Sequence, residues 1–150
     1  MMLDFTLASL HHLLVFPLFA VFVAEAVLLR AGLSGAPLGR LARLDMFYGI
    51  LSVLVIAVGV LRVIYGLKGW EYYAANHSFW GKMTAFALVG ILSIWPSKAI
   101  VRWKKAQGAD PAYAVPAEEI RHVRRFVHFQ ALFFALIVIF AAAMARNIGG

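Results

Sequence analysis

The chain has 150 residues, of which 63% are hydrophobic and 14% charged; its net charge is +7 and it has no cysteine. A soluble domain is about 45–50% apolar and about 25% charged, so this chain carries more apolar surface than one small core can hide. These figures exclude a soluble globular domain, a disordered chain and a nucleic-acid-binding module, and the missing cysteine excludes disulfides, iron–sulfur clusters, thiol catalysis and covalently attached haem.

A bilayer-crossing helix needs about 20 mostly apolar residues. Four stretches meet that requirement in chain order, at residues 5–29, 44–67, 78–101 and 126–145, and they predict a single-domain, all-α integral membrane four-helix bundle. The sequence opens Met-Met-Leu-Asp without a basic region, so the first span is expected to be retained rather than cleaved. Gly32, Ser34, Gly35, Pro37 and Gly39 predict a short turn-rich first loop, and Lys68-Gly69-Trp70-Glu71-Tyr72-Tyr73 a short aromatic second one. The third connection, from Arg102 to about Ala117, is polar and leads into the basic stretch Glu118 to Arg125.

Orientation follows from the cations. The first and third loops with their flanks hold Arg30, Arg40, Arg43, Lys98, Arg102, Lys104, Lys105, Arg121, Arg124 and Arg125, ten of the fourteen basic residues. The positive-inside rule puts those loops in the cytoplasm and both termini on the outer side. Trp70, Tyr72, Tyr73 and Trp80 are then expected at the outer interface and Trp103 at the inner one.

A charge in hydrocarbon costs at least ~2.5–3.5 kcal/mol near a helix centre, so each one calls for a partner or a role. At 1.5 Å per residue, His11 and His12 lie about 10 Å, Arg62 roughly 7 Å and Lys82 about 6 Å inside the outer ends of their spans. A second group, Glu25, Asp45, Tyr48, Lys98 and His128, lies near the inner end. Phase places these on common stripes: Asp45, Ser52, Gly59 and Gly66 beside Tyr48, Val55 and Arg62 in span 2; Lys82, Phe86, Val89, Ser93 and Pro96 in span 3; His11, Leu18 and Glu25 in span 1. In span 4 the stripe is Arg121, Arg125, His128, Leu132, Ala135, Ile139, Ala142 and Arg146, and all four stripes are expected to face one interior. For the inner group the plain reading is an ion-pair network in which Lys98, Arg43 or Arg125 neutralises Glu25 and Asp45; the functional alternative is a proton-handling site.

No acid lies at the depth of Arg62 and Lys82, which points to a bound anion or to a neutral lysine serving as a ligand. Haem b meets both demands: His11 on the iron, Lys82 or His77 facing it from the other side, and Arg62 and Lys68 on the propionates. The competing reading has Lys82 and Arg62 snorkel outward past the aromatic belt. Only one of His11 and His12 can face the interior, since neighbours on a helix point about 100° apart.

The segments Leu10-His11-His12-Leu13, Arg43-Leu44-Asp45-Met46-Phe47-Tyr48-Gly49, Gly59-Val60-Leu61-Arg62, Gly66-Leu67-Lys68-Gly69-Trp70 and Asn76-His77-Ser78-Phe79-Trp80-Gly81-Lys82 resemble, over nearly the whole chain, an uncharacterised bacterial family of predicted integral membrane proteins. More remotely, a first-span histidine, a basic first loop and a lysine early in the third span are similar to the haem-binding membrane protoporphyrinogen oxidases of bacteria. In that family the histidine and the lysine are functional. The resemblance implies haem binding at His11 (or His12), with Lys82 as second ligand or catalytic base. It also implies a bacterial inner-membrane setting and redox chemistry on a tetrapyrrole or quinone. The present chain is shorter and carries Pro17 in its first span, which bears on the substrate more than on the haem. The expected partners are the lipid bilayer and such a small molecule, with no nucleic acid and with room for a homo-oligomer. The alternative function is non-enzymatic: a small bundle that transports a solute or serves as an assembly subunit, its buried charges being structural.

Overall fold

The structure, a computed structural model, describes residues 2–148. Five helices are described: α1 (Met2–Leu28), α2 (Gly35–Tyr65), α3 (Gly69–Ala75), α4 (His77–Ala109) and α5 (Ala117–Ala145). All but α3 are long and apolar enough to cross a membrane. Side chains such as Phe5, Phe16, Val53, Ile64, Val101 and Val138 stand uncovered by protein, as residues in contact with lipid acyl chains do.

The helices outrun the apolar stretches that announce them. α2 begins at Gly35 rather than near Leu44, because Pro37 falls in its first turn, where a missing N–H costs nothing and a fixed φ suits the helix. α4 continues to Ala109, so Lys98, Arg102, Lys104 and Lys105 ride on a helix rather than in a loop. The aromatic second connection contains the short helix α3, which Gly69 opens at φ +69, a conformation that glycine adopts without steric cost. Asn76 then caps α4 by accepting a hydrogen bond from the Phe79 N–H at 3.2 Å.

α1 packs along α2 and α4 along α5, while α2 also touches α4 and α1 reaches α5 where the Phe22 and Phe134 rings meet at 4.8 Å. The α4–α5 seam is tight: a methyl group on Gly81 would lie 2.7 Å from the Phe140 ring. The two basic connections sit together at one end. There the Val115 N–H donates to the Leu33 carbonyl at 2.9 Å, and the Gln107 side chain to the Gly35 carbonyl at 2.8 Å. The other end gathers the N-terminus, α3 and the C-terminal residues. Asp4 accepts from the Leu67 N–H, Tyr72 donates to the Met144 carbonyl, and Ser78 donates to the Ile148 carbonyl.

Three of the four helix phases agree with the packed faces, but the stripe expected for α5 does not. Arg121, Arg125, His128, Leu132, Ala135, Ile139, Ala142 and Arg146 are all exposed, and the buried face is Ile120, Val123, Val127, Gln130 and Phe134. Cations near a membrane surface gain by facing headgroups and water, so the charged side of α5 turns outward. Trp103 differs too. It is wholly buried, not placed at an interface, and its indole N–H donates to Glu119 at 2.6 Å.

Candidate functional site

His11, Arg62 and Lys82 come from α1, α2 and α4, and the structure brings them into one electrostatic neighbourhood. Small residues on α2 make this possible. The His11 imidazole lies over Gly59, where an added methyl would stand 3.4 Å from its Cε1, and Arg62 follows one turn later on the same face. The His11 ring lies against the Val55 backbone, and the Arg62 Nε is buried with no hydrogen-bond partner among the described residues. The Lys82 ammonium lies 5.8 Å from the centre of the Phe79 ring, one turn towards the start of α4.

The neighbouring candidates stand apart from this cluster. His12 is exposed, with its Nδ1 2.7 Å from the Ala8 carbonyl, so His11 is the histidine that faces the interior. His77 opens α4, is exposed, and lies about 140° round the helix from Lys82. Lys68 donates to the Tyr72 hydroxyl at 2.9 Å and sits over the same ring. Asp4, the acid closest in sequence depth, accepts from the Leu67 N–H at 3.2 Å. Among the described residues the ion pairs are Arg102–Glu119 and Arg121–Glu118, neither of which reaches Arg62 or Lys82.

The inner group is only partly assembled. Glu25, Asp45 and Tyr48 lie within electrostatic range of one another. Asp45 accepts a 2.6 Å hydrogen bond from the Ser97 hydroxyl, and Ser52 donates to the Tyr48 carbonyl at 2.8 Å. Lys98 and His128 are exposed, and the ion pairs expected of Lys98, Arg43 or Arg125 with the two acids are not among those that the described residues form. Lys98 instead lines an open groove of about 560 Å³ between α4 and α5 with Trp95, Arg102, Glu119 and His122.

Two polar positions were not singled out from the sequence. Ser97 is the hydroxyl that holds Asp45, and nothing in its spacing sets it apart from Ser93. Gln130 is 3% exposed, and a lone amide inside the apolar run of α5 was a usable signal for the buried face.

Four long apolar helices with buried polar groups between them define a multi-pass α-helical membrane protein. The chain belongs to the DUF2214 family, whose model, described as a predicted membrane protein, matches residues 3–149. No curated protein and no solved structure matches it.

Proposed function

We propose that the chain is a four-helix bundle of the bacterial inner membrane, with both termini outside, and that its outer polar cluster holds haem b for electron transfer with a membrane-soluble quinone or tetrapyrrole. The observation that carries this reading is that two cations and a part-buried imidazole converge from three helices, with neither cation in an ion pair among the described residues. Stable burial of such a group calls for an anion. The donor set suits haem b: His11 offers a ring nitrogen, and Arg62 and Lys82 offer the positive charge that two propionates need. Bound there, haem supplies one-electron chemistry. The chain's residues would orient it and balance its charge.

The absorption spectrum of the detergent-purified protein, expressed with ample haem supply, tests the reading. A Soret band that shifts on reduction and is lost in His11→Ala is the expected result. A colourless protein would overturn it and leave the non-enzymatic bundle. Replacing Lys82 by Met should weaken the Soret band, since one of the two cations that hold the propionates is lost. For the topology, a reporter fused to the C-terminus is expected to be active on the outer side only, and cytoplasmic activity would refute the orientation.

A further inference from the structure

A second buried polar site lies towards the opposite end of the helices and has no part in haem binding. Glu25, on the last turns of α1, is 7% exposed, and its Oε1 has no hydrogen-bond partner among the described residues. Another acid, Asp45 from α2, lies within electrostatic range of it. The groups facing it from each neighbour do not supply a cation. α2 contributes Asp45 and the buried Tyr48, and α4 contributes the neutral Ser97 hydroxyl bound to Asp45, with Lys98 exposed beside it. α5, which meets α1 at Phe22–Phe134, carries the neutral Gln130 one turn away, while its Arg124, Arg125 and His128 are exposed.

A buried and a half-buried carboxylate within electrostatic range of one another, neither in an ion pair among the described residues, are not a stable arrangement in a low-dielectric interior. Each charge loses its hydration and repels the other. A proton resolves both problems. It neutralises one carboxyl, which removes the repulsion and most of the desolvation cost. We propose that Glu25 and Asp45 form an intramembrane proton-binding site that holds one exchangeable proton. Asp45 is half-buried and carries the exchange with water, while Glu25 is the inner store. Binding makes one O–H bond at a carboxylate, and release returns the proton to water, with no electron transferred. The Ser97 hydroxyl, donating to Asp45 Oδ1, fixes which oxygen of Asp45 stays an acceptor.

Infrared difference spectroscopy of the protein reconstituted in lipid tests this. A carbonyl-stretch band of a protonated carboxylic acid is expected at neutral pH. It should shift in deuterium oxide, vanish at alkaline pH, and lose at least half its intensity in Glu25→Gln or Asp45→Asn. Both replacements keep shape and hydrogen bonding, and a thermal melt of each checks folding. Should both fail to fold, the wild-type band alone decides, because Glu71, Asp110 and Glu118 are exposed, Asp4 holds the Leu67 N–H and Glu119 is paired with Arg102. Absence of the band at neutral pH would overturn the proposal, as would a band untouched in folded Glu25→Gln and Asp45→Asn. Loss of the band when Na⁺ replaces choline at fixed pH would equally overturn it, by assigning the site to sodium. A colourless protein bears only on the haem reading and leaves this result as it stands.

Discussion

Gly66→Ala is expected to cost about 1–3 kcal/mol, the usual range for forcing atoms into filled space, and to disturb Arg62 with it. The reason is room, not backbone freedom, since Gly66 has the ordinary φ of −72. Its N–H closes α2 by donating to the Arg62 carbonyl at 3.0 Å. A methyl group there would lie 2.3 Å from that same carbonyl oxygen and 3.0 Å from Asp4 Oδ1. A backbone oxygen cannot swing aside as a side-chain tip can. The turn must therefore open, loosening both the closing bond and the Asp4–Leu67 contact that ties the N-terminus down. Thermal melting in detergent reads the loss. Gly90→Ala is the control: nothing lies within 4 Å of its Cβ position, and in a helix interior alanine is favoured over glycine by roughly 0.5–1 kcal/mol. Equal melting temperatures for the two variants would refute the argument. If haem is bound, Gly66→Ala should also release it more readily, because Arg62 sits one turn before the opened end.

The membrane class and the four apolar helices were legible because bilayer thickness sets a length that composition alone can meet. The polar faces of α1, α2 and α4 were legible for a related reason. His11 and Glu25, Arg62 and Asp45, and Lys82 are too costly to face lipid, so each marks its helix's inner side. That reasoning fails at α5. Arg121, Arg125 and Arg146 lie near membrane surfaces, where a charge marks the wet side instead of the packed one. Apolar side chains gave no guidance there, since lipid and protein interior are equally apolar. The pairing of Asp45 with Ser97 was hidden for another reason: it depends on how α2 meets α4, and no spacing within either helix encodes that contact. Trp103 looked like a belt residue because its acceptor, Glu119, lies on the next helix.

Lys82→Met should change stability in opposite directions with and without an anion, and this sign separates an anion site from a pair of snorkelling cations. In the ligand-free protein Lys82 and Arg62 repel one another, and neither forms an ion pair among the described residues. An apolar side chain of similar length keeps the packing beside Phe79 and removes a charge whose burial costs at least ~2.5–3.5 kcal/mol near a helix centre. The variant should therefore melt higher than the wild type by the equivalent of about 1–3 kcal/mol. With haemin added the order should reverse. Haemin at a hundred times its dissociation constant stabilises a folded protein by about 2.7 kcal/mol. Removing one of two cations from its carboxylates weakens binding by about 2–5 kcal/mol, enough to abolish that gain. Lys82→Arg, which keeps the charge, should retain most of it. A melting temperature unmoved in Lys82→Met, with and without haemin, would mean that the ammonium already reaches water and that the convergence of the three helices at this depth serves packing alone.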